Sequence, residues 1–319
     1  MDKNLVSVVI TTYRRPPEIV NRAIKSVINQ TYRNLEIIII DDSPDDFKER
    51  KDVEKMILSI KEKDKRIRYI KHTENKGVSA ARNTGIVNSH GNFIAFLDDD
   101  DEWLPAKIEK QLELFKDPEV GLVYCRSFTI DELYGVKKIR KTKFYKGYVF
   151  DQLFRTNFIG STSFPLIKKE CFQHCGIFDI NLKSCQDFDL WLRIAKKYKV
   201  DYVDEPLVNY YIHGNERIST NPLKRIQGIA LITDKYKEYL EFHPYLKSRR
   251  LMALVPLYFQ IGEKNKALQI YYEAVKLTPL NLKNNLKYLL HSFIVIIKAE
   301  SHVQKIKYML DRFINKLIN

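Results

Sequence analysis

Asp98 to Asp101 are four aspartates in direct succession, with Glu102 and Trp103 behind them and the apolar run Phe93-Ile94-Ala95-Phe96-Leu97 in front. Carboxylates set this close repel one another unless a cation or a ligand uses them, and hard divalent cations suit such oxygen donors. A plainer use is a solvated turn capping the next helix, with Asp101 as N-cap and Glu102 in the first turn. Other residues able to do chemistry follow other apolar runs. Thr11, Thr12 and Tyr13 come after the first, Asp41 and Asp42 after the second, and His213 after the last. Asp187 and Asp189 flank Phe188 in between.

These residues need elements to hold them. Leu5–Ile10, a short apolar run rich in β-branched residues, and the segments Leu35–Ile40, Ile67–Ile70 and Phe93–Leu97 read as strands. Between them lie helical stretches. Pro16-Pro17 suits a helix start, and Ile19, Val20, Ala23, Ile24, Val27 and Ile28 recur at helical spacing. A second helix is expected over about 46–64, and a third of small residues follows Gly77. Later come a helix after Leu104-Pro105, a strand over 120–124, an irregular or hairpin excursion over 127–149, a strand within 157–167 and a helix over 187–197. Strands at Tyr202-Val203 and 207–211 close the series. Strands alternating with helices, and apolar on both faces, imply an α/β fold with a parallel sheet covered on both sides. Such a sheet brings the three polar clusters to one rim, where ligands bind in open α/β sheets. No G-x-G-x-x-G follows the first strand and no G-x-x-x-x-G-K-[ST] occurs, which disfavours a dinucleotide-dependent dehydrogenase and excludes a P-loop enzyme.

A chain of 319 residues, 45% of them hydrophobic, can hold one large domain with an appendage, or two domains. No window approaches 18 uncharged apolar residues, and the N-terminus lacks a signal-peptide pattern; both point to the cytoplasm. Cys125, Cys171, Cys175 and Cys185 are too scattered for a disulfide scaffold and lack a zinc-spaced partner pair, so free thiols are expected. The net charge of +14 is uneven: from residue 220 onward there are 17 Lys+Arg against 7 Asp+Glu, or +10. The body thus spans 1–219, and a basic helical region spans 220–319. In that region Leu251, Leu254, Tyr258, Gly262, Ala267, Tyr271, Ala274 and Pro279 have the spacing of one tetratricopeptide-like hairpin. Amphipathic helices are expected over 286–297 and 306–317. Their basic faces suit either an anionic membrane surface or packing on neighbours.

Five ordered segments resemble a family 2 glycosyltransferase with the GT-A fold, over roughly residues 5–215. They are Val6–Tyr13, Ile40–Ser43, Asn75–Gly85, Phe96–Trp103 and Gln186–Arg193. The resemblance implies a Rossmann-like, mostly parallel sheet with helices on both faces, followed here by the all-helical C-terminal region. It also implies inverting, metal-dependent transfer of a sugar from a nucleotide-diphospho-sugar, UDP-sugar favoured, to an acceptor hydroxyl in cell-surface polysaccharide or glycan assembly. Mg²⁺ or Mn²⁺ would balance the diphosphate leaving group. By this resemblance Asp100 is the metal ligand and Asp99 sits by the ribose, with Asp98 in the same donor site; the unbroken run also allows the same roles one position along. Thr11 and Tyr13 would frame the nucleobase, and Asp42 would accept from a ring N–H. Gly77 would let the backbone approach the ligand, and Arg82 would orient Asp42 or a phosphate. His213 would serve the metal or the diphosphate.

Asp187 matches the family's catalytic base, ahead of Asp189, which lies two residues on and off the same helix face. Gln186 stands where the family usually has Glu. That departure alone supports a rival reading, a non-catalytic nucleotide-sugar-binding scaffold. Expected partners are the donor and a glycan or lipid-linked acceptor, with the tail placing the protein peripherally on the inner face of the cell membrane. No nucleic acid is expected, because the strands lack the aromatic and basic interleaving of a single-strand channel.

Overall fold

A computed structural model describes residues 4–213 and 221–279. The chain divides into two units, Met1–Asn181 with Gln186–Asn215, and Leu182–Cys185 with Glu216–Asn319.

The first unit alternates strand and helix through β1 (Val6–Thr12), α1 (Pro17–Ile28), β2 (Leu35–Asp41), α2 (Arg50–Lys63), β3 (Ile67–Lys71), α3 (Val78–Val87) and β4 (Phe93–Asp98). It continues with β5 (Glu102–Trp103), α4 (Lys107–Leu112), β6 (Val120–Asp131), β7 (Val136–Ile139), α5 (Phe150–Arg155), β8 (Leu166–Lys168), α6 (Lys169–Cys175), α7 (Gln186–Ala195) and β9 (Lys199–Ile212). Among the described residues these strands make one sheet in the order β3-β2-β1-β4-β8-β6-β9-β5, with β7 paired to β6. The pairs β1–β2, β1–β4, β2–β3 and β6–β9 are parallel, while β8 and β5 run antiparallel to their neighbours. The sheet is thus mixed and mostly parallel, as the family resemblance implies, with antiparallel strands where the alternation of strand and helix breaks down. The stretch 202–211 is one long strand, not two, and the 127–149 excursion begins as the β6–β7 hairpin.

Local chemistry explains these elements. Pro17 at the first position starts α1, which turns Val20, Ala23, Ile24 and Val27 onto the sheet. Ile37 to Ile40 are all fully buried because β2 is covered on both faces. Small residues let α3 come close to β1: a Cβ on Gly85 would collide with the Val9 side chain. Strand order reverses between β1 and β4, so their carboxyl ends open a crevice. Register puts Thr11 beside Asp98 and Thr12 beside Asp41, bringing the polar clusters to one rim.

In the second unit, α8 (Pro222–Lys235) is capped by Asn221, whose Oδ1 accepts from Lys224 N at 3.0 Å. The short α9 (Lys237–Glu241) follows. The helices α10 (Pro244–Gln260) and α11 (Lys264–Leu277) are joined through Gly262, whose φ of 83° suits a residue without a Cβ. Leu254, Val255, Leu257, Ala267 and Ile270 pack with Ile226 and Ile229. The helices expected over 286–297 and 306–317 lie outside the described residues. No helix among the described residues is long and apolar enough to cross a membrane.

Candidate active site

The acidic run is a turn between two strands. Asp101 N donates to Asp98 O at 3.0 Å, leaving Asp99 and Asp100 as the two central turn residues. Asp98 ends β4. Its carboxylate accepts from Arg82 Nη2 at 2.7 Å, from Ser161 Oγ at 3.3 Å and from Thr162 Oγ1 at 3.1 Å. Asp99 is buried and accepts from Tyr13 N at 3.3 Å and from Arg15 Nε at 3.0 Å. Burial pushes its carboxyl up to about 6 against the pull of Arg15. Asp100 is half-buried; it meets Arg15 Nη2 at 3.1 Å, and its carbonyl accepts from Arg22 Nη2 at 2.9 Å.

Asp101 corrects an expectation. It does not cap a helix, because Glu102 and Trp103 pair with β9 and α4 begins only at Lys107. Asp101 is instead buried, accepting from Ser163 Oγ at 2.6 Å and Tyr211 N at 3.3 Å. Burial, with Asp100 and Asp98 close by, holds its carboxyl well above the ordinary range. Glu102 is likewise not in a first helical turn: it accepts from Asn209 Nδ2 at 2.7 Å and Tyr211 Oη at 3.0 Å.

Asp42 is buried at the end of β2 and works on its own chain. Its oxygens accept from Lys76 N at 2.9 Å and Gly77 N at 2.8 Å, and its Oδ1 meets His72 Nδ1 at 2.7 Å. Gly77 has a φ of 86° and no atom within 4 Å of an added Cβ, so backbone conformation demands the glycine and the space beside it is open. Arg82, expected to orient Asp42 or a phosphate, makes no hydrogen bond to Asp42 among the described residues and donates to Asp98 instead. Half-buried Thr11 and the 47% exposed Tyr13 stand at the end of β1, so the Tyr13 ring is not core packing.

The two aspartates of α7 differ. Asp189 is fully buried and ion-paired with Arg193, at 2.9 Å from Nε and 2.8 Å from Nη2. Asp187 is half-buried, accepts from Phe188 N at 2.7 Å and makes no ion pair among the described residues. Burial pushes its carboxyl above the ordinary range, with Arg82 opposing and Asp98 adding to the shift. Gln186 is buried beside it.

His213 follows β9. Its Nδ1 meets Glu132 Oε2 at 2.7 Å, and Nε2 is buried without a hydrogen-bond partner, 3.7 Å from Asp100 Oδ2. Glu132 at Nδ1 leaves Nε2 facing Asp100, the carboxylate–histidine arrangement that suits a metal ligand. Among the described residues no three or more His, Cys, Asp and Glu side chains converge as an ion cage. Asp100 and His213 supply two donors, so a cation held there would need further oxygens from outside the protein.

Several contributors escape the sequence reading: Arg15, Arg22, Glu132 and the Ser161–Ser163 segment. Arg15 had a signal, since it lies two residues past Tyr13. Glu132 and the serines had none, because long-range strand pairing alone brings them to the rim.

A mostly parallel sheet with its acidic rim at the strand reversal defines a Rossmann-like GT-A architecture. Solved structures share it: Staphylococcus aureus TarS 1–349 in complex with UDP-GlcNAc (TM-score 0.60, 15% identical, 92% of this chain and 88% of that one). The mannosyltransferase PcManGT of Pyrobaculum calidifontis, in complex with GDP-Man and Mn²⁺, has a TM-score of 0.56 at 17% identity, over 92% and 85% of the chains. The Glycosyl transferase family 2 profile matches residues 7–176, and an uncharacterized glycosyltransferase of Methanocaldococcus jannaschii is 34% identical over 71% of this chain and 76% of its own. The chain belongs to glycosyltransferase family 2. An uncharacterized glycosyltransferase of Rickettsia felis is 36% identical over 76% of this chain, which spans only 38% of that relative's length.

Proposed function

We propose that the protein transfers a sugar from a nucleotide-diphospho-sugar, UDP-sugars favoured, to an acceptor hydroxyl with inversion, in cell-surface polysaccharide or glycan assembly. The contrast between Asp187 and Asp189 carries this reading: Asp189 is held by Arg193, while Asp187 makes no ion pair among the described residues and has its proton affinity raised. Asp187 takes the acceptor's hydroxyl proton as that oxygen bonds to the anomeric carbon, and the bond to the diphosphate breaks on the opposite face. One displacement inverts the centre, so no second carboxylate nucleophile is needed.

Asp100 and His213 would hold Mg²⁺ or Mn²⁺, which neutralises charge on the departing diphosphate. The Mn²⁺ of the mannosyltransferase PcManGT, and the UDP-GlcNAc of TarS, support the two ligand choices. Thr11 and Tyr13 frame the base, Asp98 and Asp99 lie along the nucleotide sugar with Arg82 holding Asp98, and Asp42 holds the Gly77 turn beside them. The region after residue 220 attaches to an anionic membrane surface, a reading that rests on its +10 balance and is tested by vesicle flotation with and without residues 220–319.

Transfer or hydrolysis of UDP-sugars with Mn²⁺ tests the activity. Asp100→Ala and Asp187→Ala should each lose it, the latter by about 10²–10⁴-fold. Near-wild-type transfer by Asp187→Ala would remove the base assignment. UDP binding without turnover across a broad sugar and acceptor panel would favour the scaffold instead.

A further inference from the structure

Four arginines around the strand ends each meet a carboxylate: Arg15 on Asp99 and Asp100, Arg22 on Glu132, Arg82 on Asp98 and Arg193 on Asp189. Arg140 does not. It directly follows β7, its N–H donates to Ser127 O at 2.9 Å, and its guanidinium carbon lies 5.6 Å from the Phe164 ring centre. The residue is half-buried, yet among the described residues no carboxylate is within ion-pair distance of it.

The site is shaped for that side chain. Gly160 has a φ of 93°, and a Cβ there would collide with the Arg140 Nη1 and crowd Phe164. The same glycine accepts from Trp191 Nε1 of α7 at 3.2 Å and precedes the serine segment that holds Asp98. Arg140 thus stands where α7 and that segment meet, near enough for the Asp187 charge to act on it, while burial draws its proton affinity down. Lys137, Lys138, Lys141, Lys143 and Lys146 on the same excursion are exposed and make no ion pair among the described residues. A partly desolvated guanidinium that makes no ion pair among the described residues is costly to keep, and its planar fork suits phosphate or carboxylate.

We propose that Arg140 receives an anionic group carried by the acceptor, a phosphate ester or a carboxylate, and sets the acceptor hydroxyl beside Asp187. The acceptor side is chosen because Arg140 sits by α7 and within reach of the Asp187 charge, whereas Asp99 and Asp100 are held by Arg15. The choice rests on the reading of Asp187 as base; the lysine strip then extends the field that draws in an anionic acceptor.

The test titrates glycerol 3-phosphate and, separately, glucuronate into the full chain, with and without saturating UDP and Mn²⁺, for wild type, Arg140→Gln and Arg140→Lys. One probe should bind wild type together with UDP, weaken at least tenfold in Arg140→Gln, and recover in part in Arg140→Lys. Which probe binds tells phosphate from carboxylate. Competition between probe and UDP would place Arg140 on the donor's diphosphate and overturn the acceptor assignment. Equal affinity in a folded Arg140→Gln protein, or no binding of either probe by wild type, also overturns it; should Arg140→Gln not fold, an undiminished affinity in Arg140→Lys does the same. Absent sugar transfer with intact probe binding would instead count against the activity alone.

Discussion

Arg15 bridges Asp99 and Asp100, with Nε 3.0 Å from one carboxylate and Nη2 3.1 Å from the other. A single planar fork therefore holds the two central residues of the acidic turn. A lysine carries the charge but presents one point in place of two. Arg15→Lys should lower stability by about 1 kcal/mol, since the pair is only partly shielded from solvent. Denaturant midpoints check this; an unchanged midpoint would mean that the bridge adds nothing to the fold.

Asp187 and Asp189 should part company under the same substitution. Asp187→Asn should fold normally and lose turnover. In wild type, a carboxyl raised by burial stays protonated to higher pH. Activity should accordingly fall on the acid side with an apparent pKa above the ordinary carboxylate value, because the base must be unprotonated. Asp189→Asn should instead destabilise by about 3–5 kcal/mol, the cost of breaking a buried ion pair. Thermal melts of both variants, with pH–rate profiles of wild type and Asp189→Asn, separate the roles.

Lys107 is fully buried, donating to Gln111 Oε1 at 2.8 Å with its Nζ 3.9 Å from the Trp103 ring centre. Burial lowers its pKa from 10.5 to about 8. Between those values the unfolded chain holds the proton and the folded chain does not, so this group makes stability rise with pH. Below about 8 the buried charge costs up to roughly 3 kcal/mol. Lys107→Met should therefore be most stabilising, relative to wild type, near pH 7, with the difference shrinking toward pH 10. A difference that stays flat over that range would contradict the assignment.

Gly85 and Val9 occupy one contact between α3 and β1. Gly85→Ala should cost about 1–3 kcal/mol through overpacking. Combined with Val9→Ala the costs should sum to less than the two separate losses, because the smaller valine replacement makes room. Full additivity in that double-mutant cycle would show that the clash is relieved elsewhere.

Legibility in the sequence followed the range of the interaction. The β1–β4 core was readable because apolar runs and helical spacing are local, and strand-end polarity places Thr11, Asp41 and Asp98 on a common rim. Partners were not readable. Nothing near Arg82 in the chain tells Asp98 from Asp42, since only the folded sheet brings the ends of β2 and β4 within reach of one α3 side chain. The mistaken cap at Asp101 has a similar cause: a short strand pairing with a segment more than a hundred residues away overrides a local capping pattern. Ser163 joins the site because β8 inserts antiparallel between β4 and β6, an arrangement set by the whole sheet.

The acidic turn is clamped at both ends, by the Thr11–Asp98 register on one side and the Glu102–Asn209 register on the other. Removing any one of the four aspartates yields the same amino-acid sequence, so there is only one such deletion, whichever codon is lost. With the flanking strands anchored, three identical residues must then span four stations. One position goes vacant by geometry rather than by genetics, and it is the folded chain that decides which.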